Sequence, residues 1–153
     1  MINIKRINKW ICAFNSILMW GCDTVSNFED KKRITMCNKI YLLYTLVVSP
    51  YIIIFWKMRV PILSICTVII FLHCLISLVL NKSGHKECSK WLFNINIGFA
   101  TYSFAAMLGE KSGIQLACLA IIPIAYIMFR RDQMGHRLGL LFLHVGMYFF
   151  LKV

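Results

Sequence analysis

Acidic residues are scarce in this chain, with six Asp and Glu against 17 Lys and Arg. All six (Asp23, Glu29, Asp30, Glu87, Glu110 and Asp132) fall in polar connectors, and none lies inside an apolar run. Proton- or cation-coupled transporters usually hold a carboxylate at membrane depth. This distribution therefore argues against a self-contained pump while leaving a neutral-solute channel open. The phosphate-cradling and zinc-protease patterns GxxxxGK[ST], GxGxxG and HExxH are missing. So is any CxxC pair or Cys/His ligand cluster among the seven cysteines. Cys66, Cys74 and Cys118 sit within apolar runs, where cysteine acts as a small apolar residue, so no disulfide framework is expected. No cleavable signal peptide is visible, because the first dozen residues mix Ile with Lys, Arg and Asn.

What the chain has instead is apolar length. Hydrophobic residues make up 59% and charged residues 15% of its 153 positions, where a soluble domain carries ~25% charged. Five apolar stretches run from about Asn38 to Trp56, Val60 to Leu80, Trp91 to Leu108, Gly113 to Phe129 and Met134 to Leu151. A helix rises ~1.5 Å per residue, so ~20 residues cover a ~30 Å hydrocarbon layer. The expected fold is all-α: a polytopic bundle of five transmembrane helices over residues 38–153, preceded by a cytoplasmic helix and connector over residues 1–37. Short connections make consecutive helices antiparallel neighbours. Pro61 suits the first turn of the second helix. Pro50 and Pro123 fall inside the first and fourth, where each removes a helical hydrogen bond and predicts a kink. Gly98, Thr101, Ala105 and Gly109 form a small-residue stripe for close helix packing on the third.

In a soluble chain, a net charge of +11 would suggest nucleic acid. Here the cations flank the apolar runs, which points to anionic inner-leaflet lipids as the partner and not to nucleic acid. Lys5, Arg6, Lys9, Lys31, Lys32 and Arg33 precede the first run. Lys82, Lys86 and Lys90 fill the second loop, and Arg130, Arg131 and Arg137 the fourth. The opposite side has only Lys57, Arg59 and Lys111, plus Lys152 at the end. The bias predicts a multi-pass protein of the inner (cytoplasmic) membrane with its amino terminus inside. Five crossings then leave the carboxyl end outside. Ile4, Ile7, Ile11, Phe14 and Leu18 recur at three- and four-residue spacing, which predicts an amphipathic helix lying on the inner membrane surface.

Ionisable and strongly polar groups at membrane depth are the candidate site residues. His73 and His144 lie at similar depths in the second and fifth runs, and two such histidines could ligate a haem axially. The competing reading is a hydrogen bond from each to a neighbouring helix. His85 and His136 fall in basic loops and are expected to be solvated. Asn94 and Asn96 enter the third run and Gln115 opens the fourth, in positions suited to interhelical hydrogen bonds or a signal site. Glu110, in the turn Gly109-Glu110-Lys111-Ser112-Gly113, is the one carboxylate expected outside. It could meet an external signal or simply complete a hydrated hairpin. No catalytic residue and no metal site is expected.

Trp20-Gly21, Arg33-Ile34 and Asn38-Lys39-Ile40, then Asn94, the Gly109-x-x-Ser112-Gly113 turn and Phe129-Arg130-Arg131-Asp132, form a pattern over roughly residues 15 to 151. It resembles the amino-terminal six-helix membrane sensor module of bacterial adenylate/guanylate cyclases and sensor histidine kinases. The resemblance implies helices that anchor the protein and pass a signal to an effector. Here the sixth helix, the linker and the catalytic domain are missing, as in a module truncated after the fifth helix. The expected function is thus an integral membrane sensory or anchoring module, not an enzyme. Its expected partner is a second copy of itself or a separate signalling effector. The alternatives are a small transporter or channel subunit, with Asn94, Asn96, Gln115 and the histidines lining its path, and a b-type haem-binding membrane protein.

Overall fold

The computed structural model describes residues 12–109, 113, 114 and 116–152. Those residues are helical with short connections, and no strand occurs among them. Residues 12–18 form a short helical segment that ends in a turn at Gly21 and a 3-10 turn at Cys22–Thr24. Five helices follow: α1 (Phe28–Lys57), α2 (Pro61–Lys82), α3 (Lys86–Leu108), α4 (Leu116–Met128) and α5 (Met134–Lys152). The most extensive packing is between α1 and α2, then α2 and α3, then α4 and α5, while α3 also touches both α4 and α5.

Local chemistry explains the boundaries. Asn27 caps α1 by accepting from the Glu29 backbone N–H at 3.0 Å, and Glu29 and Asp30 add negative charge where the helix dipole favours it. Pro61 begins α2, as expected, after a tight turn in which Arg59 adopts φ 58°. α1 runs unbroken through Pro50, which cannot donate to the Leu46 carbonyl. The hydroxyl of Ser49 donates to that carbonyl instead, at 3.2 Å. α3 ends at Gly109, whose φ of 80° takes it out of the helix. The small-residue stripe therefore stops at Ala105, and Gly98, Thr101 and Ala105 are its buried members.

Two helices, α1 and α2, are each long and apolar enough to cross a membrane. α4 differs from the expected fourth run: at 13 residues it is about 20 Å long, short of a ~30 Å hydrocarbon layer. The core joins Cys37 and Tyr41 of α1, Cys74 and Leu78 of α2, Phe93 and Ile97 of α3, Ile121, Ala125 and Met128 of α4, Phe129 and Leu140. Tyr41 packs against Phe93 with ring centroids 4.6 Å apart and planes tilted by 50°. Of the amino-terminal stripe, Phe14 and Leu18 fall on the short helical segment over residues 12–18. Phe14 is exposed and Leu18 only half-buried, while Ile17 packs against the core. Ile4, Ile7 and Ile11 lie outside the described residues.

Candidate functional site

Polar side chains gather at one end of the bundle, where the start of α1, the α2–α3 turn and the α4–α5 turn meet. Asn38 is the hub. Buried on α1, it donates to the carbonyls of Leu18 at 3.0 Å and Trp20 at 2.9 Å, with a longer approach to Ile17 at 3.4 Å. These carbonyls lie at and just past the end of the 12–18 segment, where a helix leaves its last carbonyls without helical partners; that of Ile17 also accepts from the Trp20 backbone N–H at 3.1 Å. Asn38 Oδ1 accepts from Asn81 Nδ2 at 2.7 Å, tying α2 to the same point. Gly21 must be glycine here. Its φ is 80°, and a Cβ would fall 2.2 Å from the Asn81 carbonyl oxygen. Lys82 Nζ sits over the Trp20 ring, 4.6 Å from its centroid.

A second link crosses three helices. The Ser89 hydroxyl of α3 is 2.7 Å from the Ser77 carbonyl of α2 and 3.0 Å from the Tyr41 hydroxyl of α1. Lys90 is buried despite its charge. It pairs with Glu87 at 3.0 Å and lies 5.2 Å from the centroid of the Phe129 ring. Burial alone would raise the Glu87 pKa; Gln133 and Lys90, with His136 nearby, outweigh it and hold the carboxyl below its ordinary range. His136 is half-buried, less exposed than expected: it stacks against Phe129 at 5.5 Å and lies 5.7 Å from Trp91, because the α4–α5 turn folds it back onto α3. His85 is exposed, as expected.

The Phe129 carbonyl, just past the end of α4, accepts from Arg33 at 2.9 Å and from Arg137 at 2.5 Å, and Arg33 also reaches the Ile127 carbonyl at 3.2 Å. Two guanidinium groups thus meet the negative end of a helix dipole. Arg130 joins Asp30 at 3.1 Å and Asp132 at 3.2 Å. Together these groups line a cleft of about 230 Å³, bounded by Asp30, Arg33, Glu87, Lys90, Arg130 and Asp132. Its charges are largely paired with one another, so the arrangement fastens three parts of the chain together. A nucleophile–base pair is not part of it.

The two expected haem ligands do not come together, whereas His73 and Asn96 do. His73 Nδ1 lies 3.1 Å from Asn96 Oδ1, and Asn96 Nδ2 donates to the Ile70 carbonyl at 3.1 Å, so these two form an α2–α3 link. His144 instead packs against Gly98. Asn96 and Gly98 are two positions apart and so about 200° apart around α3. α3 stands between the two histidines, and they cannot hold one haem between them. Asn94 donates to the Lys90 carbonyl of its own helix at 2.8 Å and approaches Met128 Sδ at 3.6 Å. Glu110 and Gln115 lie outside the described residues. Among the described residues no cluster of three or more His, Cys, Asp or Glu could hold a metal ion, and Cys12, Cys22, Cys37, Cys66, Cys74 and Cys88 are free thiols.

The opposite half of the bundle holds a cavity of about 300 Å³ lined by Tyr44, Tyr51, Phe55, Phe104, Ala100 and Thr101, among others. Sequence reasoning missed it, and it also missed the hub formed by Asn38 and Asn81. Both asparagines sit at the edges of apolar runs, where the cost of burying an amide could have marked them. No family model, curated protein or solved structure matches this chain.

Proposed function

We propose that the chain is a multi-pass helical module of the inner (cytoplasmic) membrane, amino terminus inside. In this reading it senses or anchors on behalf of a separate signalling effector and has no catalytic activity of its own. The observation that carries this reading is an inverted surface. Leu43, Leu46, Ile53, Trp56, Ile65, Leu72, Phe99, Tyr102, Phe142 and Phe150 are exposed, while Asn38, Asn81, Asn94, Asn96, Lys90 and His144 are buried. Soluble proteins rarely expose apolar faces of that extent. In lipid the same faces need no cover, and polar groups are driven inward to find partners.

The end carrying Lys31, Lys32, Arg33, Lys82, Lys86, Arg130 and Arg131 suits the anionic inner leaflet. The signalling part rests on Asn38, through which a change in α1–α2 packing is transmitted to the segment before Gly21. A bundle of this kind responds by moving between discrete packings.

Two measurements test it. The chain should stay in membranes washed with alkaline carbonate, and reporters fused after Lys57 and after Lys82 should lie on opposite sides. Release by carbonate, or both reporters on one side, overturns the membrane reading. In Asn38→Leu, labelling of the buried Cys22 thiol should speed up at least tenfold while that of the exposed Cys88 stays constant. An unchanged Cys22 rate overturns the coupling.

A further inference from the structure

His144 is fully buried on α5, and neither of its ring nitrogens has a hydrogen-bond partner. A neutral imidazole always presents one donor and one acceptor, so both are left unsatisfied. Native proteins rarely leave such a group bare unless an ion, a ligand or a water completes it. Met147 follows at i+3 on the same face of α5. The two side chains converge on Gly98 of α3. A Cβ there would lie 3.0 Å from Met147 Sδ, 3.2 Å from His144 Cε1 and 3.4 Å from His144 Nδ1. The missing methyl of Gly98 thus leaves an imidazole nitrogen and a thioether sulfur around one point. One turn earlier on that face of α3, the buried Asn94 Oδ1 is also without a partner.

We propose that His144 and Met147 form a binding site for a soft monovalent cation of the copper(I) class, seated against Gly98 between α3 and α5. The donor set selects the ion. Thioether sulfur favours Cu(I) over harder metals, and imidazole serves Cu(I) equally well. Both ligands are neutral, so a single positive charge is the least costly one to hold at this depth. A hard dication would demand carboxylates, and the described ones nearest in sequence, Glu87 and Asp132, belong to the charged end. Haem is not the occupant, since α3 separates His144 from His73. The site does not depend on the signalling role proposed above.

Seven cysteines would also take up such an ion, so the readout must be specific to the site. The full chain, labelled with [13C-methyl]methionine and reconstituted in micelles, is titrated with Ag(I) as a redox-inert stand-in for Cu(I). The Met147 methyl signal is assigned by its loss in Met147→Leu. It should shift on Ag(I) addition, and at least tenfold less in His144→Phe at the same Ag(I) concentration. Met147→Leu keeps nearly the same volume and so preserves the packing. In that variant the Ag(I)-dependent shift of the His144 Cε1 signal should fall at least tenfold. The proposal is overturned if the Met147 methyl stays still with Ag(I) in excess over all thiols. An equal shift in His144→Phe, or an unreduced His144 shift in Met147→Leu, overturns it as well.

Discussion

At the charged end of the bundle, several buried polar groups reach from one element to another; in the opposite half the buried threonines return to their own helix. Asn38, Asn81 and Ser89 bond across to residues 17–20, to α1 and to α2. Thr45, Thr67 and Thr101 instead donate to the carbonyls of Tyr41, Leu63 and Ile97, each four residues back. Ser64, which crosses to the Ile52 carbonyl beside the α1–α2 turn, and Asn96, which crosses to the Ile70 carbonyl, are exceptions, and at the charged end Ser77 and Asn94 donate to the His73 and Lys90 carbonyls of their own helices. A hydroxyl satisfied within its own helix does not fix the position of its neighbour. The charged end is therefore held in one register by directional bonds, each worth ~0.5–1.5 kcal/mol net. The other half is held by apolar packing around a cavity of about 300 Å³, and such packing tolerates rearrangement more readily.

The largest test of that contrast is Gly21. Gly21→Ala places a Cβ 2.2 Å from the Asn81 carbonyl oxygen at a φ of 80°. Gly84→Ala offers the control, with a φ of 86° but its nearest neighbour, Thr24 Cγ2, at 3.8 Å. The left-handed conformation alone costs a non-glycine residue ~1–2 kcal/mol, and Gly84→Ala should lose about that much. Gly21→Ala adds a collision with backbone that cannot swing away, and should lose ~3 kcal/mol or more. Denaturant unfolding of both variants in the same micelles reads the difference. Equal losses would mean that the close approach of Gly21 to α2 is not part of the fold.

Much of the fold was legible because it rests on local signals. Each apolar run that was read coincides with a helix, although α1 begins at Phe28, ten residues before its run, and α4 is shorter than its run; Pro61 stands at the first turn of α2, and Gly98, Thr101 and Ala105 are buried on α3. Tertiary pairing was not legible. Lys90 counts in the sequence as one more loop cation; only the approach of Phe129, 39 positions later, makes it a buried one. His136 reads as a loop residue until Trp91 and Phe129 close around it. His73 and His144 share a depth along their helices, which sequence reveals. They lie on opposite sides of α3, which depth alone cannot reveal. For the same reason the sequence could mark Asn38 as a buried amide but not name its partners: its acceptors belong to a turn 18 to 21 residues earlier, brought near by folding.

A mid-sized effect compares two hydroxyls directly. Ser89→Ala removes a donor that touches both Ser77 and Tyr41, and it leaves the buried Tyr41 hydroxyl without that contact. A loss of ~1–2 kcal/mol is expected, the range for deleting a buried hydrogen-bonding group. Thr101→Val removes a hydroxyl whose acceptor, the Ile97 carbonyl, can remain in the helical ladder, so the loss should stay under ~0.5 kcal/mol. If Thr101→Val costs as much as Ser89→Ala, the distinction between the two halves fails.

The smallest expected effect concerns acid. The Glu87 carboxyl is held below its ordinary pKa, so its charged form is favoured in the folded state more than in the unfolded one. Such a group contributes stability above its unfolded pKa and loses it as the pH falls through the folded value. Its contribution should thus be constant near neutrality and fade only in acid, weakened throughout by the water that reaches a side chain 45% exposed. Glu87→Gln should flatten this part of the acid response without changing stability steeply at neutral pH. Because Lys90 is buried against the same carboxyl, protonation leaves its charge without that partner, and the loosening should start around Lys90 and the α2–α3 turn. Hydrogen exchange read residue by residue locates it. Faster exchange at residues 81–90, with residues 44–55 unchanged, is the expected pattern. Acid-dependent exchange that spreads equally into 44–55 would show that the two halves open together, and the charged end would then no longer count as a separately fastened unit.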